Sequence, residues 1–179
     1  MICEHCGERR MEPTEKFLQT WLFKSEVPYF FINQSDRGNS EEIRAIGHKE
    51  RDYERTDFMV SIPGQRPIFV EVRERSFKKK YFVIFEKDVT NRLKFAAHFG
   101  ADLYFAYFEN GVSHKTYWFH PSQLTQEDPK EGVYFYASPR RKDRDIRIYP
   151  RAMKLIDLRD NTFMDVWPNL QKLVKKSSS

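Results

Sequence analysis

Residues Thr56 to Arg73 read TDFMVSIPGQRPIFVEVR. Two apolar runs flank Pro63-Gly64, a turn pair, so the pattern predicts two strands, Thr56–Ile62 and Pro67–Arg73, joined as a hairpin. In the second run, alternation puts Phe69, Glu71 and Arg73 on one face and Val70 and Val72 on the other. Pairing of the runs brings Asp57 and Glu71 to one edge of a sheet, with Arg73 pointing the same way as Glu71. Mg²⁺ takes one or two protein carboxylates and completes its shell with water and phosphate. The Val72 carbonyl adds a candidate further oxygen. A metal held there polarises a phosphoryl oxygen and activates water, which is the chemistry of phosphodiester hydrolysis. The plainer reading makes Asp57 a strand cap and pairs Glu71 with a neighbouring arginine on a solvated face. Local pattern taken by itself favours that plainer reading.

On the N-terminal side, Pro13-Thr14-Glu15 reads as a helix start with Thr14 as N-cap, followed by Phe17, Leu18, Trp21 and Leu22 at helical spacing. Val27–Asn33 is an expected strand, and residues 34–55 form a charged polar segment. On the C-terminal side, Tyr81–Phe85 is a short strand or the lead into a helix. The helix Glu86–Phe99 has its apolar positions at Val89, Leu93, Ala96 and Ala97, and Gly100 closes it. Leu103–Phe108 reads as a buried strand, Asn110-Gly111 as a hairpin turn, Lys115–Phe119 as the return strand and Pro121–Leu124 as a short helical turn. Val133–Ala137 and Ile146–Tyr149 alternate like strands around a charged turn, and Met153–Leu158 and Phe163–Leu173 suggest a strand and a closing helix. The expected fold is mixed α/β with a central mixed sheet and extra C-terminal β elements. The expected division is a polar arm over 1–12, a core over 13–125, an extension packed on it over 126–174 and a disordered tail over 175–179.

The chain has 179 residues with 16 Phe and 9 Tyr, enough for one domain with an aromatic core. Its net charge of +5 suits a nucleic-acid partner without requiring one. No run approaches a membrane span, so no membrane partner is expected. The N-terminus MICEHCGERR lacks the apolar core of a signal peptide, and the expected location is intracellular, in the cytoplasm.

Taken as an ordered set, the motifs from Glu15 to Leu124 resemble the PD-(D/E)XK nuclease superfamily, and within it the archaeal Holliday-junction resolvases. The matching pieces are TEKFLQTWLF, FFINQSDRG, TDFMV, IFVEVRERS, EKDVTNRLKFAAHFGADLYFAYF and KTYWFHPSQL. The resemblance implies a restriction-endonuclease-like αβββαβ core, Mg²⁺- or Mn²⁺-dependent cleavage of DNA, branched or junction DNA as a candidate substrate, and a homodimer. By position it makes Asp57 and Glu71 the metal ligands and Glu15 an auxiliary acid, and it puts Ser35 in a functional loop, where Arg37 is a further candidate nucleic-acid contact. Arg73 stands where the family carries its lysine, and Lys87 on the following helix is a candidate replacement. Arginine stays protonated and forks, so it suits phosphate binding better than proton transfer. The rival reading is therefore a nuclease-fold module that binds DNA or a protein without cutting.

Two further groups stand out. Cys3 and Cys6 form one CxxC, half of a tetrahedral Zn²⁺ site, against the plain reading of a reduced arm with no metal. Arg73, Arg75, Lys78, Lys79 and Lys80 cluster in sequence after Glu71 and are candidate phosphate contacts, as are Arg140, Arg141, Lys142, Arg144 and Arg147. The aromatic runs are expected to be core.

Overall fold

A computed structural model describes residues 12–32, 56–74, 80–109, 114–124, 126–137 and 143–174. It opens with helix α1 (Pro13–Lys24), followed by strands β1 (Tyr29–Phe31), β2 (Phe58–Val60), β3 (Ile68–Glu74) and β4 (Phe82–Phe85). Helix α2 (Glu86–His98) leads to β5 (Asp102–Phe108) and β6 (Lys115–Phe119). A 3₁₀ turn (Pro121–Leu124), β7 (Val133–Ala137), β8 (Arg144–Ile148), β9 (Lys154–Asp157) and helix α3 (Phe163–Gln171) complete the fold. It is mixed α/β with a mixed central sheet. The sequence order of helix, three strands, helix and strand is present, with β4 placed before α2.

The central sheet runs β1-β2-β3-β5-β6-β9. The hairpin predicted around Pro63-Gly64 forms: β2 and β3 are antiparallel with Phe58 opposite Val70, and Gly64 takes φ 73°, a left-handed conformation that glycine adopts without a Cβ penalty. The pairing of β3 with β5 is parallel and puts Glu71 opposite Phe105. The crossover between these two strands carries α2, as a parallel connection requires. Strands β4, β8 and β7 make a second, three-stranded antiparallel sheet.

The alternation read from β3 divides the core. Ile68, Val70 and Val72 join the cluster with Leu18, Trp21 and Leu22 of α1 and Phe163, Trp167 and Leu170 of α3. Phe69 belongs to the opposite cluster, with Phe82, Phe105, Phe119 and Ile146. Its ring meets Phe95 of α2 and Phe99 at that helix's C-cap, at 5.2 and 5.6 Å between centroids. Aromatic residues dominate both clusters, as the composition predicts.

Two local expectations change. Thr14 is not the cap of α1: Glu12 is, and its N–H donates to Glu15 Oε2 at 2.6 Å in a capping box that also uses Pro13 at the first helical position. The apolar stripe expected on α2 is also rotated. Val89 and Ala96 are buried, but Leu93 is 40% exposed, and Asn91 and Arg92 face inward in its stead. The reason lies at Glu71.

Candidate functional site

Asp57 immediately precedes β2, Glu71 lies in the middle of β3 and Glu15 in the first turn of α1. All three carboxylates are buried, at 3%, 2% and 2% exposure. Carboxylates at that depth need partners. The Val72 N–H donates to Asp57 Oδ2 at 2.7 Å across the hairpin. Glu71 is held from two sides. Arg73 Nε lies 2.8 Å from its Oε1, and Arg92 Nε, from α2, lies 2.9 Å from its Oε2. Arg92 also donates from Nη1 to the Asp88 carbonyl at 3.2 Å, while Arg73 Nη2 lies 3.8 Å from Asp88 Oδ2.

The electrostatics are uneven. Burial pushes the Asp57 carboxyl well above its ordinary value, and the charges of Glu71 and Glu15 push it further in the same direction. The Val72 hydrogen bond and Arg73 oppose this shift without cancelling it. Three acids therefore share a buried corner with two guanidinium groups, and the strain of the extra negative charge falls on Asp57. The plainer sequence reading placed the Glu71–arginine pair on a solvated face. The pair exists, but with Glu71 fully enclosed.

The other candidate residues fall elsewhere. Lys87 is exposed in the first turn of α2, and its backbone N–H donates to Asp143 Oδ1 at 3.2 Å. The cation this helix sends to Glu71 is Arg92, which the sequence reading missed. Its signal was an arginine between Val89 and Ala96 on the inward face of a helix, a position that calls for a buried acid. Lys80 is exposed with φ 70°. Cys3, Cys6, Ser35, Arg37, Arg75, Lys78 and Lys79 lie outside the described residues.

Among the described residues, no group of three or more His, Cys, Asp or Glu side chains is arranged to hold a metal ion. Mg²⁺ needs only one or two carboxylates, and Asp57 and Glu71 are the pair that would hold it here. Among the described residues, no helix is long and apolar enough to cross a membrane.

No protein-family model matches the chain, and no curated protein matches its sequence. Among solved structures, it is similar to Hjc, a Holliday junction resolvase from the archaeal hyperthermophile Archaeoglobus fulgidus, with a TM-score of 0.48 and 15% sequence identity. The match covers 80% of this chain and 95% of that one.

Proposed function

We propose that this protein hydrolyses phosphodiester bonds in DNA with the help of Mg²⁺ or Mn²⁺, at a site built from Asp57, Glu71 and Glu15. The observation that carries the reading is the surplus of negative charge on three buried carboxylates, which leaves Asp57 with a raised proton affinity. A divalent cation relieves such a surplus and competes with the proton for Asp57. Once bound, the ion would polarise the phosphoryl oxygen and make the attacking water more acidic.

Each side chain has a distinct part. Asp57 and Glu71 hold the ion. Glu71 keeps its direction through Arg92, whose side chain is almost wholly buried. Arg73, a quarter exposed, is the more accessible of the two cations and would present its fork to a phosphate. It stabilises developing negative charge but remains protonated, so it moves no proton. Glu15 orients the attacking water. The basic run ending at Lys80 leads directly from β3 and supplies backbone phosphate contacts. Branched or junction DNA as substrate, and a homodimer that acts on paired strands, belong to the same proposal.

A second reading has its own observation. Both oxygens of Glu71 are engaged by guanidinium groups, as suits a nuclease-fold module that binds without cutting. Labelled four-way junction and plain duplex DNA, incubated with Mg²⁺ or Mn²⁺ and with EDTA, separate the two. Metal-dependent cleavage that disappears in Asp57→Ala and Glu71→Ala supports the enzyme. DNA that is bound but left intact supports the module. Equal cutting by both variants and the parent would put the chemistry elsewhere.

A further inference from the structure

The outward face of the second sheet is built differently from a solvated charged surface. Tyr136 and Tyr134 on β7, Arg147 on β8 and Tyr81 and Tyr149 at the strand ends lie on one side. The register pairs Tyr134 with Arg147 and Tyr136 with Asp145. The rings make a continuous track: Tyr81 to Tyr149 at 5.4 Å, Tyr149 to Tyr134 at 5.5 Å and Tyr134 to Tyr136 at 6.4 Å between centroids. The Arg147 guanidinium lies 3.5 Å from the Tyr136 centroid and 5.0 Å from that of Tyr81.

Among the described residues, Arg147 and Arg151 on this face have no anionic partner within ion-pair distance. Among the described residues, Arg147 makes no ion pair, and its charge rests against π-faces. Arg151 lies 5.3 Å over the Tyr149 ring and donates to the carbonyls of Pro129 and Lys130 at 2.8 and 3.1 Å. Asp145 lies opposite Tyr136 in the register, and its Oδ1 is buried with no hydrogen-bond partner among the described residues. Tyr136, 39% exposed, and the half-buried Tyr134, beside guanidinium groups that rest on rings and carbonyls, match the chemistry of unpaired bases on a phosphate backbone.

We propose that the outer face of the β4-β8-β7 sheet binds a single-stranded segment of nucleic acid, with bases stacked on Tyr136 and Tyr134 and phosphates met by Arg147 and Arg151. The choice of polymer rests on the nuclease reading above, but the face itself is separate from the carboxylate site. Helix α2 ties the two together through its first turn. Glu86 accepts from Arg144 Nε of β8 at 2.7 Å, and two residues later Asp88 meets Arg73.

The test uses the full chain in EDTA, so that binding is read without cleavage. Fluorescence anisotropy compares labelled oligothymidine, the same oligomer lacking its bases, and duplex DNA. Oligothymidine is expected to bind. Removing the bases, or introducing Tyr136→Ala or Arg147→Ala, is expected to weaken binding about ten-fold or more, while duplex affinity changes less than about two-fold. Tyr136→Phe retains the ring and is expected to bind like the parent, which separates stacking from folding. Equal affinity for the base-free oligomer, or unchanged affinity in both alanine variants, overturns the proposal. So does displacement of oligothymidine by polyglutamate at matched charge, which would assign the face to an acidic polypeptide. Base-dependent binding by a chain that cuts no DNA with Mg²⁺ or Mn²⁺ would sink the nuclease reading and leave this face standing.

Discussion

Arg92 Nε lies 2.9 Å from Glu71 Oε2 with both side chains almost wholly buried, and this contact sets the rotation of α2. A helix packed by its apolar residues alone would have turned Leu93 inward. Here Glu71 demands a cation, Arg92 supplies it, and Leu93 is left at the surface. The same contact aims Glu71 by fixing one of its oxygens, while the more exposed Arg73 engages the other.

Removing one member of a buried ion pair strands the other, at a cost of about 3–5 kcal/mol. Arg92→Leu should therefore lower unfolding stability by about that amount in urea titrations. Glu71→Gln combined with Arg92→Leu should recover most of the loss, because no uncompensated charge stays buried. A double-mutant cycle in which the two losses simply add would show that the pair does not hold α2.

Asp57 gives a pH dependence of a definite sign. A carboxyl with a raised folded value binds its proton more tightly in the folded chain than in the unfolded one. Its contribution to stability is full below the ordinary value of 3.8 and is lost as pH rises through the raised value. Asp57→Asn keeps an acceptor for the Val72 N–H and carries no charge. It should be more stable than the parent at neutral pH by roughly 0.5–2 kcal/mol, with the gap closing as pH falls toward the ordinary carboxylate range. Denaturant midpoints across that range measure it, and a gap that widens in acid would mean Asp57 is ionised without penalty.

The parts of the fold legible in sequence are those with a local period and a local stop. The β2–β3 hairpin, the split of Phe69 from Val70, and α2 ending before Gly100 all follow from neighbours within a few residues. Tyr81–Phe85 was ambiguous because its meaning is non-local. Phe82 pairs with Ile148, far along the chain, and that pairing gives β4 a sheet separate from β3. Likewise, the edge position of β9 depends on the pairing of Lys115 with Asp157. At the site, Asp57 and Glu71 could be singled out because a hairpin fixes their spacing. Arg92 could not, since its role depends on which face α2 presents to β3.

A bound divalent ion should reverse the penalty at Asp57. A ligand at a hundred times its dissociation constant stabilises the folded chain by about 2.7 kcal/mol. Mg²⁺ or Mn²⁺ at that excess should raise the melting temperature of the parent and leave that of Asp57→Asn unchanged. At pH below the raised Asp57 value, binding should also release a proton, read by titration calorimetry in two buffers of different ionisation enthalpy. An equal thermal shift in parent and variant would show that the ion binds elsewhere.

Glu15 has two separable jobs. It closes the capping box of α1 through the Glu12 N–H, and its charge raises the proton affinity of Asp57. Glu15→Ala removes both and should cost about 0.5–2 kcal/mol of stability, the usual loss for a helix cap. Glu15→Gln keeps a carbonyl oxygen for the Glu12 N–H and should cost less than about 0.5 kcal/mol. The two variants should nevertheless weaken metal-dependent cleavage to the same extent, since both delete the charge. If cleavage instead tracks stability, falling in Glu15→Ala and persisting in Glu15→Gln, then Glu15 serves the site only by holding the start of α1 in place.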